Sequence, residues 1–158
     1  MHLSYYQSRF PRQYDTYYKF TFVRNPWDRV VSLYNRREGV QCRDHMTFEQ
    51  FVDNIQLCTD TCTQQGLKPV RNQYDFCHIN NIQHVDYIGR FEHIQRDYDK
   101  ICDTVGIPRE RLPHANKTSD KHYSTYYNDD TRQIIGQKFA IDIDRFGYNY
   151  VDIRETVS

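Results

Sequence analysis

Apolar and polar positions along the chain follow two different periods, and the first switch between them falls within residues 20–34. Residues 18–23 are rich in aromatic and β-branched residues, which predicts a buried strand. Beyond it, Asn25 can cap a helix and Pro26 can open one, because the missing proline N–H falls among the groups a first turn leaves unpaired. Trp27, Val30, Val31 and Tyr34 then recur at three- and four-residue intervals as a core-facing stripe, with Asp28, Ser32 and Arg36 on another face. Further on, Thr47 and Gln50 match a capping box ahead of a short helix that buries Phe48, Phe51, Val52 and Ile55. Residues 84–88 predict a compact strand, followed by residues 89–92 and a helix. In that helix Phe91, Ile94, Tyr98, Ile101, Cys102 and Val105 keep the helical period until Gly106 and Pro108 end it. Residues 123–140 predict a last helix carrying Tyr127, Ile134, Ile135, Lys138 and Phe139 near one side, with Asp129 and Asp130 suited to its early turn. Residues 141–150 read as a tail whose Ile143, Phe146 and Tyr148 pack back. Residues 2–17, with Pro11 and Asp15, predict irregular backbone, and residues 57–71 a long loop able to shape a cleft. Strand and helix signals that alternate in this way point to the α/β class.

Composition narrows the function classes. The 158 residues are about one domain long, and 21 Lys+Arg balance 21 Asp+Glu, so there is no bulk field for nucleic acid. Nor are the aromatics interleaved with an extended basic run. Mean hydropathy is −0.90, yet 14 tyrosines, 9 phenylalanines and one tryptophan supply apolar area that such a scale undervalues, and this argues against disorder. No apolar run approaches the ~18 residues a membrane span needs, and the first residues are not those of a signal peptide. Five cysteines, an odd number, exclude a complete internal disulfide set. Cys58 and Cys62 can pair, or one of them with Cys77. A zinc set of Cys58, Cys62, Cys77 and His78 has atypical intervals. Neither a complete Walker loop nor a magnesium-binding aspartate in a suitable context supports a kinase.

Any anion site must therefore be local, and residues 24–32 offer one. Arg24 falls where the strand ends, and its guanidinium presents five donors in a rigid fork suited to phosphate. The following helix start adds a weak positive field, and the Ser32 hydroxyl can look away from the core. Together they could hold a terminal phosphate. The plainer alternative is a solvated arginine and an exposed serine. Arg36, Arg37, Arg43 and His45 make a basic patch that reads either as a substrate contact or as an ordinary helix end.

Residues 22–34, FVRNPWDRVVSLY, resemble the signature by which carbohydrate sulfotransferases and their bacterial relatives bind the 3′-phosphate of the sulfate donor PAPS. Gln73 to Asp75, Asp86 to Glu92, Leu112 to Thr118, Tyr126 with Tyr127, and Asp142 to Tyr148 resemble later landmarks of that family, in the expected order. The resemblance implies a partial P-loop-like, three-layer sulfotransferase fold with a small parallel sheet flanked by helices. It implies that Arg24 and Ser32 contact the 3′-phosphate, that Lys117 or Thr118 touches a phosphate from a donor-covering loop, and that His2 is the general base. The reaction implied is in-line sulfuryl transfer from PAPS to a hydroxyl of a carbohydrate acceptor, leaving adenosine 3′,5′-bisphosphate (PAP), with no metal expected. Residues 116–118 are also an N-glycosylation sequon, a use that competes with donor covering.

The family's first strand, its lysine- and glycine-containing phosphate loop and the next helix have no counterpart ahead of Arg24, since no glycine precedes Gly39. Residues 1–158 are accordingly expected to be a single sulfotransferase-like domain, N-terminally incomplete, with an exposed core face that favours self-association. The alternative expectation is a catalytically inactive remnant that binds nucleotide weakly or binds other proteins. Location would be cytoplasmic for a bacterial chain and the Golgi lumen for a piece of an anchored eukaryotic relative.

Overall fold

The computed structural model describes residues 3–35, 46–55, 70–113 and 121–153. In chain order its regular elements are α1 (Leu3–Arg9), α2 (Pro11–Thr16), β1 (Phe20–Val23), α3 (Pro26–Tyr34), α4 (Phe48–Asn54), β2 (His78–Ile79), β3 (Ile82–Gln83), β4 (Tyr87–Arg90), α5 (Ile94–Val105), α6 (Asp129–Lys138) and α7 (Ala140–Phe146). They fall into two compact units, one made of Met1–Arg24 with Gln73–Pro113, the other of Asn25–Asn72 with His114–Ser158. The fold is α/β, with a small parallel sheet flanked by helices.

In the first unit β1 and β4 run parallel, in register from Phe20 opposite Tyr87 to Val23 opposite Arg90. Helix α5 follows β4 and turns Asp97, Ile101 and Cys102 inward. Gly89 permits this close approach: a Cβ there would lie 2.6 and 2.7 Å from ring carbons of Phe22 and 3.2 Å from the Asp97 Cβ. Asp97 is buried and accepts the backbone N–H of Arg90 at 2.8 Å and the Arg96 Nε at 3.0 Å. Burial pushes its carboxyl up, but these donors, with the Arg96 charge and the Tyr87 hydroxyl, outweigh burial and hold it at about 2. At the sheet's other end the Asp86 carboxylate accepts the Lys19 backbone N–H at 2.6 Å, which is the main cause holding it below the usual range. Gly106 adopts φ +75° and closes α5 as a left-handed cap, as expected.

Several expectations for this unit need correction. Residues 3–16 are two short helices rather than irregular backbone, because Pro11 sits at a helix start, where its lost N–H costs nothing. β1 is half-buried: Val23 is inside, while Phe20 remains 46% exposed. Among the described residues β1 pairs only with β4, which leaves the beginning of the strand open to solvent. The later strand begins at Tyr87 rather than His84 and contains Gly89 and Arg90. Residues 78–83 form a hairpin, because Asn80 and Asn81 both take positive φ, 51° and 64°, the conformation a two-residue hairpin turn needs.

The second unit carries the larger core. Trp27, Val30, Val31 and Tyr34 from α3 pack with Phe48, Phe51, Val52 and Ile55 from α4 and its C-cap, and with Tyr123, Tyr127, Ile135 and Phe139. The stripe expected on α3 is the one buried. Thr47 and Gln50 form the reciprocal capping box expected of them. Most aromatic contacts of this core are edge-on, as between Phe48 and Tyr127, whose centroids are 4.9 Å apart at 87°, while Tyr34 and Phe51 are tilted at 51°. The expected last helix is interrupted: Tyr123–Tyr126 is a 3₁₀ turn, Asn128 caps α6, and the backbone kinks at Phe139. The expected tail is helix α7, which buries Asp142 and Phe146 and ends at Gly147, φ +62°. Asp142, fully buried, lies 3.8 Å from Arg29, whose Nη1 also donates to the Arg71 carbonyl at 2.7 Å.

Candidate functional site

Where a strand leaves its ladder, the next peptide loses its partners and must find others. At the end of β1 that peptide belongs to Arg24, and the Gln73 side chain takes both of its groups. Gln73 Oε1 accepts the Arg24 N–H at 2.8 Å, and Gln73 Nε2 donates to the Arg24 carbonyl at 2.8 Å. Gln73 is itself buried, at 6% exposure. This two-point clamp fixes the backbone from which the guanidinium projects. The guanidinium carbon lies 4.4 Å from the centroid of the Phe91 ring, a cation–π contact. Phe91 directly follows β4, so Arg24 and Phe91 both stand at the carboxyl edge of the parallel pair, the edge at which open α/β sheets bind ligands. Guanidinium groups bind phosphate through their N–H fork.

In the second unit, Asn25 Oδ1 accepts the Trp27 N–H at 3.1 Å and caps α3, while its Nδ2 donates to the Asn149 carbonyl at 2.9 Å. The first turn is further tied down by the Tyr127 hydroxyl, which donates to the Trp27 carbonyl at 2.9 Å, and by the Trp27 Nε1, which donates to the Arg132 carbonyl at 3.0 Å. Burial drives the Tyr127 phenol well above its ordinary pKa, so it stays a donor. Ser32 lies on α3, half-buried, and its hydroxyl has no hydrogen-bonding partner among the described residues. Serines inside helices commonly bond back to the preceding turn. This one does not, and it can serve a ligand.

Arg24 closes the first unit and Ser32 belongs to the second. His2, Lys117 and Thr118, like the basic patch and the sequon, lie outside the described residues. Cys77 and Cys102 are buried thiols outside any disulfide; the Cys77 thiol donates to the Gln73 carbonyl at 3.3 Å. His78 stacks on Tyr74, with centroids 3.8 Å apart. Among the described residues no three His, Cys, Asp or Glu side chains are grouped to hold a metal ion, and no helix is long and apolar enough to cross a membrane. A cavity of about 540 Å³ lies against the beginning of β1, walled by Tyr6, Phe10, Tyr14, Tyr17, Phe20 and Phe76. Arg24 is not part of its wall.

Sequence reasoning missed what supports Arg24. Gln73 was visible only as part of a landmark, and nothing local in the sequence pairs it with a residue 49 positions away.

The first unit thus has an arginine held at the carboxyl edge of a parallel strand pair in an α/β fold. The chain belongs to the sulfotransferase family, whose model matches residues 2–149. It is also 29% identical over 110 residues to an uncharacterized protein of Archaeoglobus fulgidus, a match that spans 70% of this chain and 85% of that one. No solved structure matches it.

Proposed function

We propose that this chain is a PAPS-dependent sulfotransferase domain of the carbohydrate-acting kind, in which Arg24 and Ser32 hold the 3′-phosphate of the donor. The observation that carries this reading is the clamped and stacked Arg24 at the carboxyl edge of β1, in a chain of this family. The partnerless Ser32 hydroxyl supports it. Lys117 and Thr118 would close over the donor. His2 would take the proton of the acceptor hydroxyl as that oxygen attacks sulfur. The bond from sulfur to the bridging oxygen breaks, and PAP departs with the electron pair. Most of the rate would come from alignment and from cations facing the departing phosphate.

The 3′-phosphate distinguishes PAP from AMP, so a titration of the full chain with both nucleotides tests the assignment. PAP is expected to bind at least about 10-fold more tightly, the factor that one charge-assisted contact supplies. Equal affinity, or no binding of PAP by the folded chain, would overturn the assignment.

A further inference from the structure

Provided that Arg24 holds a phosphate, as proposed above, its usefulness depends on where its fork points. Arginine has four side-chain torsions and loses much conformational freedom on binding unless its neighbours have already restricted it. Two residues remote in sequence restrict it here. Gln73 fixes the Arg24 peptide at both its N–H and its C=O, and the guanidinium lies over the Phe91 ring. The clamp is itself held: Gln73 is buried, its own carbonyl accepts the Cys77 thiol, and it leads directly into the turn at Tyr74–Phe76. Phe91 opens the turn at Phe91–His93 immediately after β4, and β4 is registered against β1 up to Val23 opposite Arg90. One residue therefore fixes the backbone from which the side chain projects, and the other holds its guanidinium against a ring.

We infer that Gln73 and Phe91 are positioning residues that pre-aim the Arg24 guanidinium toward an anionic ligand. Neither needs to touch that ligand. The arrangement differs from ordinary packing in one checkable respect. A structural role would lower stability whatever stands at position 24, whereas a positioning role can affect ligand affinity only while the arginine is present.

The test is a double-mutant cycle on the full chain, with PAP as the probe and thermal melting recorded beside each titration. Gln73→Met keeps the length and removes both hydrogen bonds; Phe91→Leu removes the ring at a site already 43% exposed. Gln73→Met is expected to weaken PAP about 10-fold and Phe91→Leu about 3-fold. Neither should weaken it further in the Arg24→Ala background. If either folded variant binds PAP as the wild type does, or loses the same factor in both backgrounds, the inference fails while the phosphate role of Arg24 stands. If the wild type binds no PAP, both fail. Should Gln73→Met not fold, which its two buried bonds make a real outcome, Phe91→Leu decides alone.

Discussion

At the scale of single residues, the chain's charge balance forces selectivity to come from local geometry. With 21 cations against 21 anions no long-range potential gathers a nucleotide, so each phosphate contact must be preorganised. In the proposed site Arg24 would meet that requirement through its clamped peptide and its contact with Phe91. Ser32 would contribute differently, by offering a hydroxyl that no described neighbour occupies. Ser32→Ala removes one oxygen from a half-buried position and leaves the Trp27, Val30, Val31 and Tyr34 stripe intact. PAP affinity should fall roughly 5-fold by calorimetry with the melting temperature unchanged. An unchanged affinity would remove Ser32 from the proposed site.

At the scale of elements, local chemistry specified some pieces completely and left others unreadable. Asn25, Pro26 and the apolar stripe defined α3, and Thr47 with Gln50 defined the start of α4, because a cap and a period are written within one turn. Gly106 likewise ended α5 where expected. The burial of Asp97 could not be read in this way. Its partners include the backbone N–H of Arg90 and the space left by Gly89, which meet it only once β4 and α5 have packed. The helix at residues 140–146 was hidden because its stripe is short and its fully buried member is an aspartate, Asp142. Gln73 was hidden for the related reason that it imitates a neighbouring strand with a side chain. The candidates Arg24 and Ser32 come from one continuous segment, whereas Gln73 and Phe91, which support Arg24, are remote from it in sequence. Gly89→Ala tests the packing of β4 against β1 and α5: with a Cβ forced to 2.6 Å from the Phe22 ring, urea unfolding should show a loss of about 1–3 kcal/mol. Unchanged stability would mean that the Phe22 ring moves aside at little cost.

At the scale of the whole molecule, stability should depend on acid in a defined direction. The Asp97 carboxyl is depressed to about 2 in the folded chain, so its contribution is complete above about pH 4 and disappears as the pH falls toward 2. Asp86 shifts in the same direction. Asp97 can account for up to about 2 kcal/mol of the acid-labile stability. In Asp97→Asn the dependence on pH between about 4 and 2 should flatten, alongside a lower stability at neutral pH; an unaltered acid profile would contradict the burial described here. Family membership covers residues 2–149, and the proposed phosphate recognition rests on the guanidinium at the end of β1. The most direct measurement is the ratio of PAP to AMP affinity before and after Arg24→Ala, in chains shown to melt alike. PAP should weaken about 30-fold with AMP nearly unaffected, so that the preference for PAP collapses toward one. A preference that survives the substitution would place the 3′-phosphate elsewhere.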